Sequence, residues 1–393
     1  MASCAGDADC RAGEGYVCDA AWKACVMPNT AAIVPRTCPA ARGIGRDPQF
    51  APTAALFDAH QSSSVIAADG RLVSVHAGTF GAAARDPWLA RDATTFYATW
   101  SDNGVQLATS KDAVTWSAPT AIDPCVDCKS IVVASGGAVH VMFANEGMRL
   151  RTSRDAGKTF GAASTILAGG HGNATVGADG RVHAVALDGG PLGAFGSANQ
   201  RIQYSVMRAP GAGFGKPITV SRRDEMLPFY FANPAIAVDS RRKWIYIAYV
   251  RGGRDAIWDI MLAASKDGGA TWTRTRIGDD PACAIHMVPN LALDPTTGTL
   301  HLAWYDSRGD KPRFAHASCT VGLAKCTQLG RINDVAFSTL TTVRNNATWV
   351  GDYETLLVDD KRRVLHAVWT QPVDDAGKIV SRVFHASAKL PLR

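Results

Sequence analysis

Apolar and polar positions along this chain alternate in short bursts rather than in helical turns. An apolar strand, a polar turn and a second, alternating strand recur at residues 174–178 with 181–187, 290–293 with 300–305, and 353–358 with 364–369. Fainter copies lie at 65–77, 88–100, 131–143 and 235–249, and the second strands end equivalently on His76, Trp100, Phe143, Ala186, Tyr249, Trp304 and Trp369. Period-two alternation bounded by Gly, Asp and Pro is the pattern of half-buried strands. Seven similar strand pairs in one chain predict an all-β fold. A β-propeller is expected, with seven blades and six as the alternative, because radial closure leaves only short, protected edges.

A second repeat is independent of the first. SKDGGATW at 265–272 matches SRDAGKTF at 153–160, and SKDAVTW at 110–116 is a copy one residue short. Each predicts a tight hairpin: Asp accepts backbone N–H groups inside the turn, Gly permits positive φ, and the aromatic plugs the layer beneath. All three follow a second strand, so they should join the third and fourth strands of a blade. Loops then alternate between two faces. The hairpins mark one face, and the loops entering strand 1 and leaving strand 2 converge on the other, at the channel mouth.

Composition narrows the class. Among 393 residues, 47% are hydrophobic and 19% charged, which supports a large core and excludes disorder. The net charge of +6 is spread along the chain, so no nucleic-acid partner is expected. No apolar run approaches the ~20 residues of a membrane helix. Ten cysteines point to an oxidising compartment. Cys4, Cys10, Cys18 and Cys25 predict a knot of two disulfides with three open pairings, and Cys319 with Cys326 could staple a hairpin. Cys125 and Cys128 read as a disulfide before they read as metal ligands. The expected organisation is a Cys-rich disulfide-held segment at 1–28, a linker or packed arm at 29–57, and a propeller at 58–393. The first strand pair lacks outer strands, which the arm or the C-terminus would supply. A monomer is expected, exported to the periplasm, cell surface or medium, with its signal peptide absent from this sequence.

The hairpins, with AWYDSR at 303–308 and WVGDY at 349–353, resemble the sialidase-like (BNR, Asp-box) propeller superfamily over about residues 58–390. The 4–25 segment resembles Cys-rich modules that open exported proteins of predatory soil bacteria. What the superfamily resemblance implies is a fold and a structural role for the Asp boxes; function sits in a site grafted on the fold.

Several chemistries compete for that site. His140, His183, His301 and His366 occupy one position in four second strands and read as packing groups. His171 and His286 fall on one position just before strand 1, with His60 within one residue of it. Imidazoles from separate rigid elements suit a divalent metal such as zinc that activates water. The favoured expectation is thus a hydrolase with one pocket at the channel mouth and an anionic or glycan substrate. Asp352 or Glu354 would be its base or an extra ligand, and Arg85 or Arg308 would clamp the substrate. Arg251, Arg254, Tyr230 and Trp349 would add binding contacts.

The resemblance implies an alternative, a glycosidase with an arginine clamp and a Tyr/Glu pair such as Tyr353 and Glu354. The early Arg-Ile-Pro motif of that family is missing, and adjacent residues of one strand point to opposite sides. An ion pair between Asp306 and Arg308 is the plainer account of those two. A uronate lyase would use similar parts. A non-catalytic glycan- or protein-binding propeller would use the aromatic rim of Trp88, Tyr230, Trp258 and Trp349.

Overall fold

A computed structural model describes residues 17–19, 24–26, 45–125, 128–188, 200–222, 225, 227, 233–252, 258–278, 286–308, 312–323, 325–338, 350 and 354–392. Among them are six four-stranded antiparallel sheets. Blade 1 comprises Arg85–Arg91, Phe96–Ser101, Val105–Ser110 and Thr120–Asp123; blade 2 comprises Ser130–Ser135, Ala138–Ala144, Met148–Ser153 and Ser164–Leu167. Blade 3 comprises His171–Val176, Val182–Asp188, Arg201–Val206 and Ile218–Thr219; blade 4 comprises Ala235–Asp239, Trp244–Gly252, Trp258–Ser265 and Thr273–Ile277. Blade 5 comprises His286–Leu293, Leu300–Asp306, Arg313–Cys319 and Cys326–Arg331. Blade 6 comprises Thr355–Asp359, Val364–Asp375 and Lys378–Lys389, with Ala54–Asp58 as its outermost strand. The first strand of each blade is innermost, and each packs on the first strands of its neighbours.

The full blades therefore number six, the alternative and not the favoured seven. The remaining unit, Ser62–Ile66 with Leu72–His76, stays two-stranded and sits between blades 6 and 1, its first strand packed on theirs. The cause is chain length: only residues 77–84 separate His76 from Arg85, too few for two more strands. The strand ahead of it closes the ring elsewhere, with Phe57 opposite Val383 of blade 6.

Residues 45–58 pack onto the propeller. Arg46 bridges to Arg331 at the edge of blade 5, and the Asp47 carboxylate meets His316 Nδ1 at 2.7 Å with both side chains fully buried. Val17–Asp19 pairs with Ala24–Val26, and the cysteine pairing of that segment lies outside the described residues. Two disulfides are described. Cys319–Cys326 joins cross-strand partners of blade 5, and Cys125–Cys128 closes the loop entering blade 2. No described helix is long and apolar enough to cross a membrane, which says nothing of a β-barrel.

The Ser/Asp hairpins join third and fourth strands in blades 1, 2 and 4, as their spacing predicts. At 265–272 the Ser265 hydroxyl donates to Asp267 Oδ1 (2.8 Å), and Gly269 N donates to Ser265 Oγ (2.8 Å). Thr271 gives its N–H and its hydroxyl to the two Asp267 oxygens. Gly269 has φ +99°, a conformation its missing Cβ permits. These donors, the Thr271 hydroxyl first, hold the Asp267 carboxyl down to about 2. The second-strand histidines are packing groups. His140 bonds Thr152 (3.0 Å), His183 bonds Tyr204 (2.7 Å), His301 bonds His316 (3.2 Å) and His366 bonds His385 (3.0 Å). Burial pushes His140 and His183 down to about 4, so both are neutral.

Candidate functional site at the channel mouth

A cavity of about 150 Å³ lies where the innermost strands converge. Ser62, Ser63 and Ser64 line it from the two-stranded unit, Trp88 from blade 1, and Asn173 and Thr175 from blade 3. Asn290 of blade 5 with Glu354 and Thr355 of blade 6 complete its polar wall, and Ala235 and Ile236 add the apolar part. Several of these groups brace the ring: Leu89 N donates to Ser63 Oγ (3.0 Å), and Ser64 N donates to Thr355 Oγ1 (3.2 Å).

Glu354 is the ionisable side chain among the described residues of this wall, and its surroundings raise its pKa. The residue is 5% exposed. One carboxyl oxygen accepts the backbone N–H of Thr370 (3.0 Å), and the other is hydrogen-bonded to the Tyr305 hydroxyl of blade 5. Tyr305 is fully buried, and its hydroxyl also lies 2.5 Å from the Thr370 carbonyl. A phenol has one proton. If it goes to the carbonyl, Glu354 must supply the proton for its own bond to Tyr305. A neutral acid satisfies the phenol, the carbonyl and the amide: Glu354 O–H donates to Tyr305, Tyr305 O–H donates to Thr370 O, and Thr370 N–H donates back to Glu354; the Thr370 hydroxyl beside the carboxyl is a further donor. An ionised carboxylate would compete with the carbonyl for that one proton inside a low-dielectric wall. Burial accordingly pushes Glu354 well above the usual carboxylate range, against the hydrogen bonds that act to lower it. Burial and the nearby Glu354 push the Tyr305 phenol up as well.

The other sequence-predicted residues are placed as follows. Arg85 is exposed at the start of blade 1. Beside it Asp86 is buried at φ +49° and accepts Gln61 Nε2 at 2.6 Å, while Gln61 itself has φ +53°. Arg251 donates to Asp259 (2.7 Å), which Arg276 also reaches (2.7 Å). Arg308 is buried with its Nε 2.7 Å from Asp306, the plain ion pair. Burial alone would raise the Asp306 carboxyl, but the His286 hydrogen bond and the charges of His286 and Arg308 hold it low. Asp352, Tyr353, Arg254, Tyr230 and Trp349 lie outside the described residues.

The three histidines do not share one position. Using His183 and His301 as equivalents, His171 pairs with Leu187 four residues beyond the first, whereas Tyr305, four beyond the second, pairs with Met287. His286 is therefore one residue further out and faces the opposite side. A β-bulge between Met287 and Asn290, with Val288 at φ +52°, inserts one residue here; without it Val288 would hold the position of His171 and His286 would lie two residues further out. His286 is buried edge-on to Trp304, 3.5 Å from Asp306. His60 and His171 are half-buried at the starts of their own units. Among the described residues no three His, Cys, Asp or Glu are grouped to hold a metal ion, so the arrangement does not fit the expected zinc centre.

The Glu354–Tyr305 pair escaped the sequence reading because it joins two blades. Its one signal is an acid entering an inner strand, two residues before the apolar run that begins at Leu356.

No family model and no curated protein matches the chain. YCF48 bound to a D1 peptide is a solved structure similar to it, with TM-score 0.52 and 12% identity over 92% of this chain and 100% of that one. A Trypanosoma rangeli sialidase in complex with sialic acid is similar at TM-score 0.43 and 12% identity, over 86% of this chain and 59% of that one. A thermostable family-43 glycoside hydrolase is similar at TM-score 0.38 and 11% identity, over 63% and 93%. At such identities the likeness is one of fold: the chain is a β-propeller.

Proposed function

We propose that this protein is an exported, glycan-acting hydrolase whose site is the channel-mouth pocket and whose proton donor is Glu354. The observation that carries the proposal is the burial of Glu354 against Tyr305 and Thr370, which raises its pKa and supports a retained proton. Cleaving a glycosidic bond needs an acid that is still protonated near neutral pH to give its proton to the leaving oxygen. Water then adds to the anomeric carbon and loses a proton to a carboxylate. Asp86, which Gln61 holds at the start of blade 1, is the carboxylate proposed for that step. Once Glu354 is ionised, the Tyr305 hydroxyl can turn from Thr370 O to the new carboxylate, which stabilises the charge. Hydroxyls and amides around one aromatic suit a polyhydroxylated ligand. Two disulfides support export.

Tyr305 also forms the Tyr/Glu pair that the sialidase-like reading requires, in place of Tyr353. Its complete burial argues against attack by its oxygen on a sugar.

The test is turnover of a panel of aryl glycosides, including arabinofuranosides and a sialoside, by the wild type and Glu354→Gln. Turnover by the wild type and a loss of ~100-fold or more in the variant is expected. Turnover of no glycoside by folded protein, or an undiminished variant, overturns the proposal.

A further inference from the structure

We infer that the pocket selects a single uncharged sugar ring, oriented by Asn173 and Asn290, so that cleavage is confined to chain ends. This rests on the reading of the channel mouth as a glycan site, and it narrows the substrate class.

Three observations carry it. The first is charge. Among the described residues the wall holds no Arg, Lys or His, and burial raises the pKa of its one carboxyl, Glu354. Of the cations expected to grip an anion or add binding contacts, Arg308 is committed to Asp306, Arg251 to Asp259 and Arg85 is exposed, and none of these three is part of the wall; Arg254 lies outside the described residues. A sialic acid or uronate carboxylate entering here would be desolvated with no cation to meet it, which is strongly unfavourable.

The second observation is the polarity of the two amides. Asn173 Oδ1 accepts the backbone N–H of Ala174 (2.7 Å), which fixes its amide nitrogen as the atom left to donate. Asn290 Nδ2 donates to the Val288 carbonyl (3.3 Å), which fixes its oxygen as the atom left to accept. One blade lies between them, so the wall presents a donor and an acceptor from separate rigid strands. Neutral hydroxyls, each both donor and acceptor, can use both members of that pair, whereas a carboxylate can use the donor but not the Asn290 oxygen. The Ser62 hydroxyl, buried in the same wall without a hydrogen-bond partner, adds a third group for a sugar hydroxyl.

The third observation is size. A cavity of about 150 Å³ is smaller than the ~300 Å³ at which pockets for drug-sized ligands begin. It holds one ring rather than a run of a polymer, and the rest of the chain must leave through the mouth.

The experiment titrates the full-length Glu354→Gln protein, followed by saturation-transfer NMR and calorimetry. The probes are arabinose, xylose, galactose and glucose, with sialic acid and glucuronic acid as charged competitors. At least one neutral sugar should bind with an affinity unchanged by salt, and the acids should bind at least ~10-fold more weakly. Adding Asn173→Ala or Asn290→Ala should weaken the neutral sugar by ~10-fold, about one charge-free hydrogen bond. Asn173→Asp and Asn290→Asp keep the side-chain shape should the alanine variants melt early. Tighter binding of an acid, with affinity falling in salt, overturns the inference while leaving the hydrolase reading intact. So does the binding of no sugar at all. Neutral binding without turnover by the wild type has the opposite meaning: the inference stands and hydrolysis fails.

Discussion

Replacing Glu354 by glutamine tests the charge of the site without any substrate. The glutamine amide nitrogen can donate to Tyr305 and its carbonyl oxygen can accept Thr370 N–H, the same network that the neutral acid makes. The wild-type carboxyl behaves differently in the two states of the chain. Unfolded, it ionises above about pH 4.3. Folded, burial raises its pKa, so it keeps its proton. The sign follows from linkage. The group's contribution is fully present below the unfolded pKa and is lost as pH rises through the folded pKa. Each pH unit within that window lowers wild-type stability by about 1.4 kcal/mol. Glu354→Gln carries no such titration. Its stability relative to wild type should therefore be higher at about pH 6 than at about pH 5. Urea unfolding of both proteins at the two pH values measures this, because every other titrating group cancels in the difference. A difference that stays flat, or that shrinks with pH, would mean that Glu354 is ionised in the folded protein and would refute the reasoning.

Tyr305→Phe should destabilise the protein by about 1–3 kcal/mol, because it leaves the Glu354 proton and the buried Thr370 carbonyl without a partner; urea unfolding at neutral pH checks this. Asp47→Ala removes the partner of buried His316 and should cost about 1–3 kcal/mol, with hydrogen exchange rising first in residues 45–58. Asp267→Ala should lower the melting temperature without changing turnover, since its hairpin lies on the face away from the pocket. For wild-type Asp267, held down to about 2, the contribution is present above the unfolded carboxylate pKa and is lost as pH falls toward about 2. The melting difference between the two proteins should therefore narrow in acid.

Local chemistry was the legible part of this sequence. The Ser/Asp hairpins announce their position because Ser265, Asp267, Gly269 and Thr271 satisfy one another within eight residues. The four second-strand histidines were readable as packing groups because a repeated position implies a repeated contact. What depends on ring closure was not legible. The strand at Ala54–Asp58 joins blade 6 across more than three hundred residues, which left the first unit two-stranded and the blade count at six. The shared position assigned to His171 and His286 failed for a smaller reason. His171 lies four residues before Thr175, the partner of His183, but His286 lies six before Ala292, the partner of His301, and the bulge at Val288 makes up only one of those two residues. The site itself needed the fold, because Tyr305 and Glu354 come from different blades and neither is distinctive alone.

The most direct test of the central claim, a protonated Glu354 that acts as the acid, is the leaving-group dependence of kcat/KM across pH. An aryl glycoside leaves with little help, whereas an unactivated disaccharide needs the proton. The account predicts that wild-type activity on the disaccharide falls with rising pH along a one-proton limb. It also predicts that Glu354→Gln loses ~100-fold or more on the disaccharide and clearly less on the aryl glycoside. Equal losses on both substrates, or disaccharide activity that rises with pH, would contradict it.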